Sequence, residues 1–352
     1  MNLLIITQKV DLDDDLLGFM HRWIEEIAGH CQNVIVICLW QGRYNLPDNV
    51  KVLSLGKEKK TPKFRYLTNF YRYIWRERKN YDCVFVHMNK EYILLGGIWW
   101  RLLNKKTALW YNHGEGNLWS SVAGRLAHKI FYTSPFSFFA RSEFKKAQIM
   151  PAGIDTDFFR KQQSGPVSQN SLLFLGRISP VKNVDILIGA VNFLDQKNID
   201  FVLNIAGEPG EKDRDYFTSI KNLARNLEER GKIRFLGKVP HHKTLSLYNQ
   251  NEIFINLTNS GSLDKAILEA MACGQLVLVS NMAFESIFSN EWKKYLIFKE
   301  NNARDLAGKI QALWLLNKLE KEKITQELRD IVFRDHGLDR LSEKIMIFFN
   351  RK

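Results

Sequence analysis

The sequence has 352 residues, 45% of them hydrophobic and 25% charged, and its 51 Lys and Arg exceed its 38 Asp and Glu by 13 positive charges. These proportions are typical of globular proteins and exclude a disordered chain. No apolar run approaches the roughly 18–20 residues of a membrane span, and Lys9 follows the apolar start too soon for a signal peptide. At about 150 residues per domain, the length predicts roughly two domains.

Short apolar runs alternate with amphipathic stretches through the first half of the chain. Because the runs are continuous rather than alternating, they predict strands buried on both faces of a parallel sheet. Helices are expected between them at about 16–29, 63–79 and 91–104. The predicted strands are Leu3–Thr7, Val34–Leu39, Val52–Leu55, Cys83–His87, Ala108–Tyr111 and Ile130–Tyr132.

The second half repeats this alternation, which indicates two α/β domains with doubly wound parallel sheets. Its predicted helices lie near 183–196, 214–230, 241–250, 263–273 and 303–317. Its predicted strands are Leu172–Leu175, Phe201–Ala206, Ile233–Leu236, Ile253–Leu257, Leu276–Ser280 and Tyr295–Phe298.

A polar stretch at Arg160–Asn170, with Gly165 and Pro166, is typical of a linker between the two halves. We therefore predict Rossmann-like domains at 1–160 and 161–335, with a C-terminal helix at 336–352 that crosses back to the first domain. A ligand is expected between the domains, at the carboxyl ends of the strands.

The first candidate site is the loop from Gly176 to Asn183, between a predicted strand and a predicted helix. It carries Arg177 and Lys182, and two cations beside a helix N-terminus are suited to a diphosphate. The alternative is a pair of solvated loop cations.

A second candidate is the small-residue loop at Gly261 and Ser262, which follows a predicted strand and precedes a helix. Its backbone N–H groups could approach an anion closely. Within the helix, Glu269 stands among apolar residues and needs a partner, either the hydroxyls of a ribose or Lys265 one turn earlier.

Three weaker candidates accompany these loops. Gly207 and Glu208 open a G-x-x-G turn after a predicted strand. His113 follows a first-half strand, where it could act in catalysis, bind a sugar or be structural. His87 ends the preceding strand and is an alternative candidate for the same role. The acidic cluster Asp11, Asp13, Asp14 and Asp15 could hold a metal, although acidic residues before a helix are favourable without one.

The charge surplus lies in residues 51–150, which hold 19 basic and 6 acidic residues. Its densest part is the segment 59–79, where cations alternate with aromatic residues. Three interpretations remain open: a core-packed helix with a solvated basic back, a membrane-surface helix, or a nucleic-acid contact, which no accompanying motif supports.

Taken together and in this order, the loops resemble glycosyltransferase family 4, whose members have the GT-B fold. Five segments carry the resemblance, which is strongest from about 150 to 285. They are the Gly176-Arg177 pair with Lys182 (G-R-x-x-x-x-K), the Gly207-Glu208 turn, Phe235-Leu236-Gly237, the Leu268–Gly274 run L-E-A-M-A-C-G and the hinge Pro151–Asp155.

The resemblance implies two Rossmann-like domains facing a cleft, a nucleotide-diphosphate-sugar donor in the C-terminal domain and an acceptor in the N-terminal one. It implies retention at the anomeric carbon without a catalytic metal or other cofactor. Arg177 and Lys182 would neutralise the leaving diphosphate, and Glu269 would hold the ribose. Gly237 would lie beside the base, Gly18 against the phosphate and sugar, and His113 at the donor sugar.

One departure concerns the donor sugar. The family has a second glutamate eight residues before Glu269, and this sequence has Gly261 there. Asp264 or the backbone of the Gly261–Leu263 loop would have to take its place, and the sequence does not choose between uridine and guanosine donors.

The resemblance therefore implies a retaining hexosyl- or N-acetylhexosaminyltransferase acting on a glycan or lipid-linked glycan in cell-surface polysaccharide or glycoconjugate synthesis. We expect it in the cytoplasm or on the inner face of the membrane, bound through residues 59–79, with no nucleic-acid partner. Two alternatives are a nucleotide-sugar-binding protein without transferase activity and a nicotinamide oxidoreductase, although no G-x-G-x-x-G follows the first strand.

Overall fold

The computed structural model describes residues 1–142, 144–162, 168–261 and 263–351. The chain divides into two compact units. The first comprises Met1–Gly153 together with the chain from Leu338 onward, and the second comprises Ile154–Gly337. Of the predicted linker, residues 163–167 lie outside the described part, and Gly165 and Pro166 are among them.

The first unit contains a seven-stranded parallel sheet in the order β3-β2-β1-β4-β5-β6-β7. Its strands are β1 (Asn2–Val10), β2 (Asn33–Gln41), β3 (Val50–Ser54), β4 (Cys83–His87), β5 (Lys106–Trp110), β6 (Lys129–Tyr132) and β7 (Ala147–Ile149). Its helices are α1 (Phe19–Gly29), α2 (Lys63–Arg76), α3 (Lys90–Leu102), α4 (Leu118–Leu126) and α5 (Phe138–Arg141).

Both faces of this sheet are buried, which explains the continuous apolar runs. In β1, Leu3 and Ile5 pack in the cluster that contains α1, whereas Leu4 and Ile6 pack in the cluster that contains α2 and α3. All four side chains are fully buried. Since burying one such side chain stabilises the fold by about 1.5–3 kcal/mol, both layers contribute to the core.

The second unit contains a five-stranded parallel sheet in the order β10-β9-β8-β11-β12. Its strands are β8 (Ser171–Leu175), β9 (Val202–Ala206), β10 (Ile233–Gly237), β11 (Ile253–Asn256) and β12 (Leu276–Val279). Its helices are α6 (Val184–Gln196), α7 (Arg214–Glu229), α8 (Thr244–Gln250), α9 (Lys265–Ala272), α10 (Lys293–Leu296), α11 (Ala303–Leu315) and α12 (Lys318–Asp335). Two doubly wound parallel sheets were predicted, and the structure confirms them.

The last helix, α13 (Leu338–Asn350), belongs to the first unit. Leu341, Ile345 and Phe349 pack in the same core cluster as α1. The four-residue spacing of this stripe places the three side chains on one helix face. Among the described residues, no helix combines the length and apolar character that crossing a bilayer requires.

One predicted strand is wrong. Tyr295 and Leu296 lie at the end of α10, and only Ile297 makes a strand-like bridge, to Val279. Leu296 and Phe298 are buried all the same. A four-residue apolar run fits the core equally well as a helical turn or as a strand, so its composition does not decide between them.

Candidate functional site

The loops that follow the strands of the second sheet meet at its carboxyl edge, and backbone contacts join three of them. The Gly176 N–H donates to the Ala206 carbonyl over 3.0 Å, and the Gly207 N–H donates to the Gly237 carbonyl over 2.8 Å. Gly207 has a φ of 139°, and a Cβ there would lie 1.9 Å from the Gly176 oxygen. Only glycine fits where Gly207 approaches the Gly176 carbonyl so closely. This close approach packs the loops after β8 and β9 against each other.

Arg177 is presented at this edge. Its neighbour Ile178 is buried and donates its N–H to the Glu208 carbonyl over 3.1 Å, which fixes the loop backbone. The Arg177 side chain is exposed. Within the described part of the chain it has no ion pair or hydrogen bond, and its guanidinium is available to an anion.

Lys182, at the end of the same loop, is held by the loop that follows β11. Its Nζ donates to Asp264 Oδ2 over 2.5 Å and to Thr258 Oγ1 over 2.9 Å. Asn256 also donates to Asp264 Oδ2, over 3.0 Å. Burial alone would raise the pKa of Asp264, but the charge and hydrogen bond of Lys182 outweigh it and lower that pKa. The lysine is thus oriented by a carboxylate that also caps α9.

Glu269 lies buried within α9 and binds two donors. His241 Nε2 lies 2.9 Å from its Oε1, and the Tyr248 hydroxyl donates to its Oε2 over 2.9 Å. Burial, followed by the charge of Glu269, raises the pKa of Tyr248 well above its usual value, so the phenol stays protonated. Burial lowers the pKa of Lys265 to about 7, although Glu269 and Asp264 act in the opposite direction. The carboxylate is therefore held by residues that the sequence had not indicated.

The loop before α9 is joined to the segment between α10 and α11 and to the loop after β12. The Ser260 N–H and hydroxyl both donate to Glu300 Oε1 over 2.8 Å, and the Gly261 N–H points at Asn281 Oδ1 over 3.4 Å. Leu263 is buried. Ser262, the other residue expected to approach an anion, lies outside the described residues.

The first-unit candidates occupy the carboxyl edge of the other sheet. Gly18 is buried and immediately precedes α1. His113 follows β5, stays in contact with solvent, and has its ring centroid 4.9 Å from that of Tyr111. Desolvation and then Lys90 lower its pKa, which favours a neutral imidazole. The rival His87 is buried against the rings of Phe19, Trp23 and Trp110 and is part of an aromatic cluster.

Two of the acidic residues after β1 are bound by cations and backbone N–H groups near them. Asp14 accepts a hydrogen bond from Lys9 and from the Leu16 and Leu17 N–H groups, and Asp13 forms two hydrogen bonds with Arg43. Burial would raise the pKa of Asp14, but its bond to Lys9 and the two N–H groups lower it. Among the described residues no group of three or more His, Cys, Asp or Glu is arranged to hold a metal ion.

Comparison with known proteins finds that much of the second unit is similar to glycosyltransferases. Residues 155–329 match the family model "Glycosyl transferases group 1". The D-inositol 3-phosphate glycosyltransferase of Acidothermus cellulolyticus is 24% identical over 180 residues, 48% of this chain and 40% of that protein. The D-inositol 3-phosphate glycosyltransferase 2 of Catenulispora acidiphila is 28% identical over 142 residues, which are 37% of this chain and 33% of that protein. The chain thus matches less than half the length of these curated relatives.

Solved structures extend the similarity to the whole chain. The crystal structure of Anabaena HepE in complex with UDP and glucose superimposes with a TM-score of 0.79 and 15% identity, covering 99% of each chain. The fold is GT-B.

The segment matched by the glycosyltransferase family contains every second-unit candidate, from Gly176 to Glu269. The sequence had not indicated His241 and Tyr248 as partners of Glu269. One signal was present, since they lie seven residues apart in a predicted helix, and that spacing of two turns places polar groups on one face. What the sequence did not contain is the contact between that face and α9.

Proposed function

We propose that the chain is a retaining glycosyltransferase of family 4 that takes a nucleotide-diphosphate-sugar donor in its second unit. The exposed Arg177 carries this proposal, because it is a cation without a partner in the described chain at the carboxyl edge of a parallel sheet. That edge is where α/β sheets bind ligands. Retention of configuration rests on the resemblance to the family.

The diphosphate would be bound by Arg177 and Lys182. Arg177 offers a planar fork of N–H donors that matches phosphate oxygens. Lys182 offers an ammonium already oriented by Asp264 and Thr258. As the bond between sugar and phosphate breaks, negative charge grows on the leaving diphosphate, and two fixed cations stabilise it. We propose that these cations supply the positive charge and that no metal takes part.

Glu269 would bind the donor ribose. A carboxylate has about four acceptor sites, and His241 and Tyr248 occupy one on each oxygen. The remaining lone pairs can accept from two ribose hydroxyls. Gly237 and Glu208, at the ends of β10 and β9, would lie near the base, and Gly261, Ser262, Leu263 and Asp264 near the sugar.

UDP-hexoses and UDP-N-acetylhexosamines are the donors to test first. UDP is the nucleotide in the HepE complex of the same fold. The sugar is transferred, in this proposal, to a glycan or lipid-linked glycan during cell-surface polysaccharide or glycoconjugate synthesis, with Gly18 and His113 of the first unit near the reacting sugar.

In this proposal the acceptor lies at the cytoplasmic face of an anionic membrane, and the chain binds that membrane through residues 59–79. In α2, Arg65, Arg72 and Arg76 are exposed, whereas Phe70 and Ile74 of the same helix are buried. Each cation on the outer side of a helix contributes about 1 kcal/mol to the free energy of binding to anionic lipids. Sedimentation with anionic vesicles at low salt tests this, and no sedimentation would contradict it.

The enzymatic proposal is tested by nucleotide release. The wild type, incubated with a nucleotide-sugar panel and membrane-extracted acceptors, should release nucleotide with one donor. Arg177→Ala and Lys182→Ala should lower the rate by about 100-fold or more, as expected for loss of a transition-state charge contact. Arg225→Ala, an exposed arginine of α7, is the matched control and should retain the rate. Full activity in both site variants would refute the assignment.

A further inference from the structure

An apolar pocket lies between α2 and α3 of the first unit. It has a volume of about 310 Å³, and its walls are formed by Tyr71, Ile74 and Trp75 on one side and Trp99, Trp100 and Leu103 on the other. That volume is at the lower end of the roughly 300–1,000 Å³ found for ligand pockets.

The polar atoms of Trp100 and Tyr81, which line this α2–α3 pocket, are hydrogen-bonded. Trp100 is fully buried, and its Nε1 donates to the Tyr81 hydroxyl over 3.2 Å. That hydroxyl in turn donates to the Ile74 carbonyl over 3.1 Å. Because these polar atoms bond to one another, the pocket presents ring faces and methyl groups, which select an apolar ligand.

Large apolar side chains surround the mouth of the pocket. Trp75 is 52% exposed and Trp99 42% exposed, with ring centroids 5.5 Å apart. Ile98 and Leu102, in the same helix as Trp99, are also exposed. Contiguous exposed apolar surface of this kind marks a site of interaction with a membrane, a ligand or a protein, and tryptophans are enriched where apolar lipid meets water.

The mouth of the pocket is also cationic. Arg72 lines it, and the Arg78 guanidinium lies over the Trp75 ring at 4.2 Å. Between Lys60 and Lys79 the only acidic residue is Glu77, which is buried and paired with Lys51 and Arg76. An anionic group above an apolar chain would complement both parts of the surface. A second copy of the chain would not, because its own cations would face these.

The pocket is remote from the strand-end loops of its own sheet. Its walls come from the last turns of α2 and α3, which precede β4 and β5 and so lie by the amino ends of the strands. His113 and Gly18 follow strands and lie by the carboxyl ends. The pocket is therefore suited to anchoring rather than to chemistry.

We propose that the α2–α3 pocket holds one hydrocarbon chain of an anionic membrane lipid, whose phosphate pairs with Arg72 and Arg78. The lipid inserts between Trp75 and Trp99 and fixes the first unit at the bilayer. This inference rests on the proposed function only in that the acceptor is met at a membrane. It concerns a site that takes no part in binding the donor.

The first test uses tryptophan fluorescence and equimolar phosphatidylcholine–phosphatidylglycerol vesicles with brominated chains. The wild-type protein should be quenched, because the indoles at the pocket lie beside the bromine atoms. The double variant Trp75→Phe/Trp99→Phe keeps an aromatic pocket, so it should still sediment with the vesicles but lose most of the quenching. Trp119→Phe, an exposed tryptophan of α4, is the matched control and should keep it. Unchanged quenching in the double variant would overturn the proposal.

The second test places a charge in the pocket. Leu103→Arg should weaken sedimentation with the anionic vesicles by about tenfold or more, the effect of about 1.4 kcal/mol. Leu223→Arg, at an exposed leucine of α7, should sediment as the wild type does. If Leu103→Arg does not fold, the fluorescence test still decides. Equal sedimentation with phosphatidylcholine alone, or a lipid-free dimer that Leu103→Arg dissociates, would overturn the proposal.

The same variants separate this proposal from the enzymatic one. UDP should raise the melting temperature of Leu103→Arg as much as that of the wild type, because the donor site lies in the other unit. If the wild type does not bind vesicles but UDP still raises its melting temperature, the lipid pocket and the membrane contact are refuted, and the donor site is not. If the protein binds vesicles but no nucleotide raises its melting temperature, the donor site alone is refuted.

Discussion

Lys182 donates a hydrogen bond to Asp264 across 82 residues of sequence, and this ion pair joins the loop after β8 to the cap of α9. The side chains of both residues are about one-fifth exposed. A donor diphosphate reaching Lys182 would meet a cation that is already paired. The ion pair therefore positions the lysine and also competes with the ligand.

Asp264→Asn should destabilise the free protein and increase the rise in melting temperature that UDP causes. Asparagine can still cap α9, so the substitution chiefly removes the charge beside Lys182. Breaking a fully buried pair costs about 3–5 kcal/mol, and partial exposure reduces the expected loss to about 1–3 kcal/mol by screening. Because the diphosphate replaces the lost anion, UDP should raise the melting temperature of the variant more than that of the wild type. A smaller shift in the variant would contradict this competition.

Tyr248→Phe and Glu269→Gln should separate stability from donor binding. Removing the phenol leaves a buried carboxylate oxygen with one donor fewer, which costs about 1–3 kcal/mol. Glu269→Gln also removes the ribose acceptor, so it should weaken UDP binding more strongly than Tyr248→Phe does. Urea unfolding and nucleotide titration of both variants check this, with Tyr295→Phe as a half-buried control. Equal UDP affinity in Glu269→Gln and the wild type would exclude a ribose contact.

Lys265 should make stability rise with pH above neutrality. Burial lowers its pKa to about 7 in the folded chain, whereas an unfolded lysine has a pKa of about 10.4. Between these values the unfolded chain binds more protons, and the free energy of unfolding increases with pH. Above about 8.5 the thiols oppose this trend, since burial raises the pKa of Cys31 to about 11 and that of Cys38 to about 12.

Unfolding by urea at about pH 7 and about pH 8.5 measures the effect of Lys265 before the cysteines dominate. Lys265→Met should be more stable than the wild type at the lower pH. Its free energy of unfolding should increase less between the two pH values than that of the wild type. The exposed Lys243→Met is the control and should follow the wild type. A wild-type pH dependence in Lys265→Met would show that this residue is not its source.

Nucleotide release should continue at its full rate in EDTA. The proposed charge stabilisation comes from Arg177 and Lys182, whereas Asp13 and Asp14 after β1 are bound by Arg43, Lys9 and backbone N–H groups. Adding magnesium or manganese back should have no effect. Loss of activity in EDTA with recovery on adding metal would show that the two cations do not suffice.

The sequence predicted the sheets well because their strands are buried on both faces. Leu3 to Ile6 form a continuous apolar run, and the structure places alternate members in different core layers. The same reasoning failed at Tyr295–Phe298, where an equally apolar run forms a helical turn. It also missed β7, whose three residues, Ala147–Ile149, are too few for a pattern.

In the candidate site, the sequence placed Arg177 and Lys182 in a strand-to-helix loop and Glu269 in a helix, but it did not predict the partners of these residues. Strand-end positions follow from local patterns, whereas contacts between loops depend on tertiary packing. Asp264 was considered a substitute for a missing glutamate, and the structure shows it bound to Lys182. Glu269 was expected to need a partner, and the partners are His241 and Tyr248.

Calorimetric titration with UDP, GDP and their sugar conjugates tests the central claim most directly. The account predicts that one nucleotide binds with one site per chain. Arg177→Ala should weaken it by about 10- to 100-fold, the value of a charge-assisted hydrogen bond of about 1.5–3 kcal/mol. Because the Arg177 side chain is exposed and without a partner in the described chain, its removal should leave the melting temperature unchanged. Wild-type affinity in Arg177→Ala, or no binding of any nucleotide, would contradict the account.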